Sequence, residues 1–286
     1  MKIALAQINT TLGNPKTNLK KHLEYIQRAR SEGCDLIIFP ELSLTGYLLQ
    51  DLVPTVAARP TSDDPIFGPL LNASKDIDVI AGFVEQGTLH HYYIAAAYLS
   101  QGEVVHTHRK VYLPTYGMFD EGRFFARGDK IRAFDTRLGR FGMLVCEDFW
   151  HASPPYLLWV DGAEMLIFIS ASPGHAIGNS PQPETARWVE HINQAYATLF
   201  TCFVASTNRV GFEDGISFWG GATLHDPNGE LAAKGPYYEE ALTIAEVDLN
   251  QLQHVRASLP LLRDERPELV QKELERILGN GRQGNR

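Results

Sequence analysis

Apolar positions along the chain follow two spacings, one typical of strands and the other typical of helices. Residues 2–8 alternate between apolar and polar positions, as a β-strand does. Residues 18–30 place apolar side chains on one helical face, and Gly33 then offers a stop. Residues 34–41 follow as an apolar run, which is typical of a strand that is buried on both faces. The opening pattern therefore predicts an α/β fold.

Later segments add hairpins to this alternation. A helix is predicted from Pro65, and a longer one over residues 183–200. Two hairpins are predicted to turn at Gln101-Gly102 and at Asn228-Gly229. A four-layer α-β-β-α sandwich accommodates both the hairpins and the crossover helices. A doubly wound single sheet is the competing arrangement, and the pattern does not separate the two.

The domain prediction follows from where the alternation stops. Residues 1–249 contain no repeat, low-complexity tract or linker, so we predict one domain there. Residues 250–286 are helical in pattern and highly charged, and they resemble a C-terminal tail. We expect this tail to pack on the same domain or on a dimer partner.

Composition excludes several classes of protein. The 286 residues include 26 basic and 34 acidic side chains, a net charge of −8, which makes the surface a poor partner for nucleic acid or anionic membranes. No apolar stretch approaches the roughly 20 residues that span a bilayer, and the first residues resemble a strand more than a signal peptide. The 3 cysteines form no disulfide framework. We therefore expect a cytoplasmic protein with free thiols.

Three reactive side chains lie at the ends of predicted strands. These are Glu41, Lys110 and Cys146, and ligand sites in α/β proteins gather at the carboxyl ends of strands. An ordinary thiol, with a pKa of about 8.5, is mostly protonated at neutral pH, and Glu147 and Asp148 are expected to raise that pKa further. A nucleophilic Cys146 would therefore need a base. Taken singly, each residue has an ordinary structural explanation, because free cysteines are usually buried and charged residues usually face solvent.

Other catalytic templates find little support. The chain has no H-E-x-x-H, G-x-x-x-x-G-K-[ST] or G-x-S-x-G motif. His106 and His108 share one strand face and would supply only half of a metal site. A pair of Cys146 with His108 or His151 is a further possible mechanism, but no local feature singles out either histidine.

Three longer segments together resemble a known family. They are "FPELSLTGY", "HRKVYLPTYGMFDEGRFF" and "GMLVCEDFW", and they are similar to the signature segments of the nitrilase superfamily of carbon–nitrogen hydrolases. "STNRVG", "DPNGE" and "LPLLRDERPEL" match further features of that family, so the resemblance extends over nearly the whole chain. It implies an α-β-β-α sandwich, no cofactor, and a common tendency to form homodimers or larger homo-oligomers.

The resemblance also implies a mechanism. Glu41 would take the proton of Cys146 while the sulfur attacks an amide carbonyl carbon. Lys110 and the backbone N–H of Glu147 would stabilise the oxyanion, and the resulting thioester would then be hydrolysed. Glu121 would position Lys110 or the substrate.

A closer resemblance concerns the substrate. "KVYLPTYGMFDEGRFF", "CEDFW" and "SASP" are similar to the glutamine-hydrolysing domain of glutamine-dependent NAD synthetase. That similarity implies that Tyr116, Glu147 and Ser172 hold glutamine, and we expect Trp150 to shape the same pocket. A carboxylate at position 147 would be a natural partner for a substrate ammonium group.

Two departures keep glutamine open as the substrate. No S-G-G-x-D-S loop is present, so we expect no NAD synthesis by this chain alone, and Gly178-Asn179 replaces the basic Gly-Lys of the family. The sequence therefore favours an amidase that acts on a small amide. The alternatives are a glutaminase subunit that supplies ammonia to a separate synthetase, and a nitrilase that hydrolyses nitriles.

Overall fold

Two six-stranded β-sheets form the centre of the fold in the computed structural model, which describes residues 1–174 and 182–281. The first sheet has the order β15-β1-β2-β3-β4-β5, where the strands are β1 (Lys2–Gln7), β2 (Leu36–Ile38), β3 (Asp78–Gln86), β4 (Tyr92–Ser100), β5 (Glu103–Arg109) and β15 (Ala241–Glu246). Its three inner strands β1, β2 and β3 run parallel, and the outer strands pair antiparallel.

The second sheet repeats this plan. Its order is β14-β13-β10-β8-β7-β6, where the strands are β6 (Phe134–Thr136), β7 (Gly139–Val145), β8 (Met165–Ser170), β10 (Phe203–Asn208), β13 (Thr223–His225) and β14 (Leu231–Lys234). Strands β7, β8 and β10 run parallel at its centre. A small third sheet contains β9 (Pro173–Gly174), β11 (Val210–Glu213) and β12 (Ile216–Trp219).

Helices alternate with the strands along the chain, and the last of them follow β15. They are α1 (Pro15–Ser31), α2 (Val53–Val56), α3 (Phe67–Ala73), α4 (Glu121–Phe124), α5 (Ser153–Val160), α6 (Glu184–Phe200), α7 (Gln251–Ser258), α8 (Leu261–Asp264) and α9 (Pro267–Gly281). Short 3-10 helices span Gln50–Leu52, Thr88–His90 and Cys146–Trp150. Helix α1 has residues at both ends that favour a helix start and a helix stop. The Asn14 side chain accepts the N–H of Thr17 at its start, and Gly33, with φ of 73°, follows its end.

Burial divides the fold into four layers. Ile38 and Ile80 of the first sheet share one apolar core with Val145 and Ile167 of the second sheet. Separate outer cores join the first sheet to α1 and α3, and the second sheet to α5 and α6. The four-layer α-β-β-α sandwich is therefore confirmed, and the single doubly wound sheet is wrong.

Most predicted elements are found, with differences at their edges. Both hairpins are present, β4–β5 and β13–β14. The helix predicted from Pro65 begins at Phe67 as α3. Residues 201–211 have the pattern of one continuous strand, but they break at Arg209 into β10 and β11, because β11 leaves the second sheet to pair with β12.

The residues after position 249 divide into a packed part and an exposed part. Leu252 of α7 is buried in the central core, and Arg256 donates to the carbonyl oxygens of Thr201 and Ala163. Helix α9 instead leaves apolar side chains in solvent, among them Leu278. The division at residue 249 stays a prediction. None of the helices in the described part of the chain is long and apolar enough to cross a membrane.

Candidate active site

A buried lysine lies at the centre of the predicted site. Lys110 directly follows β5, and its Nζ donates to Glu41 Oε1 and to Glu121 Oε1, each at 2.8 Å. Lys110 and Glu41 are both 0% exposed. The Tyr47 hydroxyl also donates to Glu121 Oε1, at 2.6 Å. We refer to Glu41, Lys110 and Glu121 as the lysine cluster.

The turn after β2 positions Glu41. The backbone N–H of Ala171, just after β8, donates to Glu41 Oε2 at 2.8 Å, so both carboxylate oxygens have a partner. On the neighbouring strand β3, Gly82 lies directly against this turn. A Cβ at Gly82 would overlap the carbonyl oxygen of Pro40 and would lie 2.8 Å from the Cα of Glu41. Only glycine therefore fits beneath the Glu41 turn without displacing it.

Cys146 lies at the carboxyl end of β7 and begins the 3-10 helix Cys146–Trp150. Its backbone has φ of 48°, in the left-handed region that residues other than glycine rarely adopt. The side chain is buried, at 8% exposure. A buried nucleophile in a strained turn at a strand end is a geometry that recurs in hydrolases.

Burial sets the protonation state of the thiol. It raises the pKa of Cys146 well above its usual value, and the nearby Glu41 carboxylate raises it further, against the opposing effect of Lys110. We expected Glu147 and Asp148 to raise this pKa; Glu147 does so, with a smaller effect than Glu41. Cys146 is therefore a thiol at neutral pH.

The two carboxylates decide the charge of the lysine. Burial lowers the pKa of Lys110, but Glu121 and Glu41 more than offset this effect, so its pKa stands well above the usual value. Lys110 is a cation throughout the physiological pH range. The cluster therefore supplies a fixed positive charge in a site that excludes water.

Glu121 carries the surplus negative charge of the cluster. Burial raises its pKa to about 7, although Lys110 lowers it. Its Oε1 accepts from Lys110 and Tyr47, while Oε2 is buried and has no hydrogen-bond partner among the described residues. A proton on Oε2 would leave both bonds to Oε1 intact. Glu121 is therefore the titrating member of the cluster near neutral pH.

The predicted substrate-binding residues lie at different depths. The Tyr116 hydroxyl donates to Glu147 Oε2 at 2.9 Å, and burial raises the pKa of Tyr116 to about 12. Ser172 is held by Asn208, which accepts its backbone N–H at 2.8 Å and donates to its carbonyl oxygen at 3.2 Å. Trp150 is 41% exposed and stacks on Phe149. The predicted Gly178-Asn179 difference lies outside the described residues.

The histidines have other partners. His108 Nε2 lies 2.8 Å from Asp148 Oδ2. The His106 ring stacks on the Phe134 ring, with centroids 4.2 Å apart. His151 stacks on Tyr112, with centroids 3.7 Å apart. Within residues 1–174 and 182–281, no group of three or more His, Cys, Asp and Glu side chains could hold a metal ion.

A second buried charge pair was not anticipated from the sequence. Arg209 Nη1 donates to Glu213 Oε2 at 2.7 Å, and Glu213 Oε1 accepts the backbone N–H groups of Tyr47 and Leu48 at 2.8 and 2.7 Å. We call Arg209 and Glu213 the arginine pair. The segment "STNRVG" marked its position in the sequence, but the 4-residue interval to Glu213 became meaningful only when β11 was placed.

The site spans the two sheets. Glu41 and Lys110 follow strands of the first sheet, whereas Cys146 and Ala171 follow strands of the second sheet. A cavity of about 200 Å³ opens beside Glu121, with aromatic walls that include Tyr47, Phe119, Phe124 and Phe125. The arrangement therefore combines a buried thiol, two buried glutamates and a buried cation, with a cavity beside Glu121.

Comparison with known proteins agrees with this chemistry. Glutamine-dependent NAD(+) synthetase of Acinetobacter baylyi is 33% identical over 252 residues, which cover 87% of this chain and 44% of that protein. The chain thus spans less than half of that relative. N-carbamoylputrescine amidase of Arabidopsis thaliana is 25% identical over 269 residues, 88% of both proteins.

Solved structures agree on the fold. The carbon-nitrogen hydrolase from Helicobacter pylori G27 superimposes with a TM-score of 0.81 at 23% identity, covering 96% of this chain and 98% of that one. The family described as carbon-nitrogen hydrolase matches residues 2–257. The chain therefore belongs to the carbon-nitrogen hydrolase family of the nitrilase superfamily, whose enzymes act on carbon–nitrogen bonds other than peptide bonds.

Proposed function

We propose that this protein is a cysteine-dependent amidase that hydrolyses a small amide through a thioester on Cys146. The observation that carries the proposal is the buried bond network of the lysine cluster, with Lys110 Nζ 2.8 Å from both Glu41 and Glu121. Glu41, Lys110 and Glu121 all act electrostatically on the Cys146 thiol. A structural cysteine would need no such surroundings.

The first half of the reaction forms the thioester. Glu41 takes the Sγ proton as the sulfur attacks the carbonyl carbon, because the raised pKa of Cys146 leaves too little thiolate otherwise. The Lys110 ammonium group and the backbone N–H of Glu147 stabilise the oxyanion. The oxyanion collapses, the C–N bond breaks, and Glu41 returns its proton to the departing ammonia or amine.

The second half regenerates the enzyme. Glu41, again a carboxylate, takes a proton from water as the water oxygen attacks the thioester carbon. The C–S bond breaks, the thiolate of Cys146 regains the proton from Glu41, and the carboxylic acid leaves. Tyr47 and Glu121 hold the lysine in place during both halves.

The test is ammonia release from a panel of small amides by the wild-type protein and by Cys146→Ala. We expect turnover only by the wild type, a mass increase on Cys146 equal to the acyl group when the wild-type reaction is quenched with acid during turnover, and no such increase in Glu41→Gln. Equal turnover by the wild type and Cys146→Ala would contradict the proposal. Adding nitriles to the panel tests the nitrilase alternative directly.

For the substrate, we propose an amide that carries an ammonium group, such as glutamine. The support is the Glu147 carboxylate, which Tyr116 orients through a 2.9 Å hydrogen bond, together with the relative that is a glutamine-dependent synthetase. Glu147→Gln should raise KM for glutamine about tenfold or more and leave KM for uncharged butyramide unchanged. Equal effects on both amides would count against this substrate class.

A second candidate function is a glutaminase that supplies ammonia to a separate synthetase. The observation that favours it is the 33% identity to a glutamine-dependent synthetase over 87% of this chain. Glutamine hydrolysis should then increase when a synthetase that co-purifies from the native cell is added. Unchanged hydrolysis would leave the independent amidase.

We also propose that the protein forms a homodimer in a reducing cytoplasm. The exposed apolar side chains of α9, such as Leu274, Ile277 and Leu278, support the first part, and three free cysteines support the second. Light scattering at working concentration should report twice the monomer mass. A monomer would contradict the proposal.

A further inference from the structure

Asp148 is a fully buried carboxylate with four hydrogen-bond donors around it. It lies two residues after Cys146 and is 0% exposed. Its Oδ1 accepts the backbone N–H groups of Val111 and Tyr112, each at 2.9 Å. Because Val111 directly follows Lys110, one oxygen of Asp148 holds the chain at the point where the catalytic cation emerges from the first sheet.

The other oxygen holds the nucleophile side of the site. Oδ2 accepts the backbone N–H of Val145 at 3.2 Å and faces His108 Nε2 at 2.8 Å. Val145 is the residue directly before Cys146, at the end of the second sheet. One carboxylate therefore connects the backbones that carry Lys110 and Cys146, although the two residues belong to different sheets.

This connection matters because the backbone of Cys146 is strained. A left-handed conformation is unfavourable for a residue with a side chain, and it persists only where surrounding bonds fix it. The bond from Val145 to Asp148 fixes the peptide on the entry side of that turn. His108, on β5, fixes the carboxylate in turn, since a carboxylate can only accept the proton on Nε2.

We propose that Asp148, oriented by His108, is a positioning residue that sets the separation of Lys110 from the Cys146 thiol. It touches no substrate, and it acts through the backbone on both sides of the site. The inference rests on the proposed amidase function. The competing explanation is that Asp148 only satisfies buried N–H groups, in which case its loss would change stability and leave turnover per folded molecule unchanged.

A matched set at His108 separates the two explanations. His108→Leu removes the donor to Asp148, whereas His108→Gln keeps an N–H at a similar reach. His106→Gln is the control, since it changes a neighbouring histidine of the same strand that stacks on Phe134 instead. We measure kcat and KM for ammonia release, normalised to the folded fraction, and the thermal midpoint of each variant.

We expect His108→Leu to lower kcat about 10- to 100-fold with KM within about twofold, because displacing a reacting group by about 1 Å costs a factor of this size. His108→Gln should recover most of kcat, and His106→Gln should stay within about twofold of the wild type. Unchanged kcat in folded His108→Leu would overturn the proposal. So would an equal loss in the Leu and Gln variants, or a loss that only follows the unfolded fraction.

Asp148→Asn gives an independent readout at the nucleophile. The amide that this substitution introduces would direct an NH2 group at the N–H donors that surround Asp148 in the wild type. We therefore expect a loss of kcat at least as large as in His108→Leu. We also expect slower alkylation of Cys146 by iodoacetamide, which is followed by peptide mass spectrometry. Alkylation at the wild-type rate in folded Asp148→Asn would overturn the positioning role. If the wild type and Cys146→Ala turned over amides equally, the amidase function itself would fail, which is a different result.

Discussion

The lysine cluster and the arginine pair are both buried ionic groups, and both contact Tyr47, yet they are built oppositely. In the lysine cluster one cation serves two carboxylates, and Glu121 retains an oxygen without a hydrogen-bond partner in the described part of the chain. In the arginine pair one carboxylate accepts three N–H donors, while Nε and Nη2 of Arg209 have no hydrogen-bond partner among the residues that the structure describes.

Because of this difference, the lysine cluster can exchange protons near neutral pH, whereas the arginine pair keeps a fixed charge. Burial, together with a smaller effect of the Glu41 carboxylate, raises the pKa of Glu121 to about 7, so protons can enter and leave the lysine cluster near neutral pH. The guanidinium of Arg209 stays charged, because burial lowers its pKa only from a very high starting value. The arginine pair therefore fixes the loop that carries Tyr47 and takes no part in proton transfer.

The largest expected effect comes from breaking the lysine cluster. Lys110→Met removes the cation that is proposed to stabilise the oxyanion and leaves Glu41 and Glu121 without their shared partner. We expect kcat to fall about 10³-fold or more in an ammonia-release assay. Lys20→Met, an exposed lysine, is the control. A fall of less than tenfold would show that the cation is not needed.

Breaking the arginine pair should instead cost stability. Glu213→Gln leaves Arg209 as an unpaired buried charge, which lowers the free energy of unfolding by about 3–5 kcal/mol in urea titrations. The kcat of the remaining folded protein should stay within about tenfold. If kcat fell as far as in Lys110→Met, the distinction between scaffold and chemistry would be wrong.

The titration of Glu121 should make the stability of the protein depend on pH. Because the folded-state pKa of Glu121 is about 7, above the ordinary 4.5, its protonated form favours the folded protein. This contribution is complete below pH 4.5 and is lost as the pH rises through 7, with a slope of up to about 1.4 kcal/mol per pH unit. Unfolding free energies measured at several pH values should lose this slope in Glu121→Gln. Identical slopes in both proteins would contradict the assignment.

The smallest effect is expected at the residue that both groups share. Tyr47→Phe removes the hydroxyl that donates to Glu121 and keeps the backbone bond to Glu213. Losing that donor raises the pKa of Glu121 further, by up to about one unit. The pH range over which the unfolding free energy falls should therefore extend to higher pH by the same amount as the pKa of Glu121. A shift of that range to lower pH would contradict the role given to the hydroxyl.

Many individual strands, helices and hairpins were predictable from the sequence, because they depend on local periodicity and turn residues, whereas the choice of the four-layer sandwich over a single sheet came from family resemblance. The alternating and continuous apolar runs located β1, β2 and α1, and turn residues located both hairpins. The path after Asn208 was not predictable, since β10 and β11 form one continuous strand pattern. Only the sheet contacts of β12 show where that strand divides.

The candidate site was predictable only in part. Glu41, Lys110 and Cys146 are too far apart in sequence for any local motif, so their grouping came from family resemblance. Asp148 was expected to disturb the thiol, and its four hydrogen bonds became visible only in the fold. Polar contacts between the two sheets have no periodic signature in the sequence, and sequence reasoning therefore missed them.

One bond has a consequence for engineering. Glu41 belongs to the first sheet, but the Ala171 N–H that holds its second oxygen belongs to the second sheet. The position of Glu41, the proposed base, therefore depends on the spacing between the sheets, which the apolar side chains of the central layer determine. Substitutions that repack this central layer and are selected only for thermal stability are expected to change the turnover rate. Libraries of such variants should therefore be screened for turnover as well.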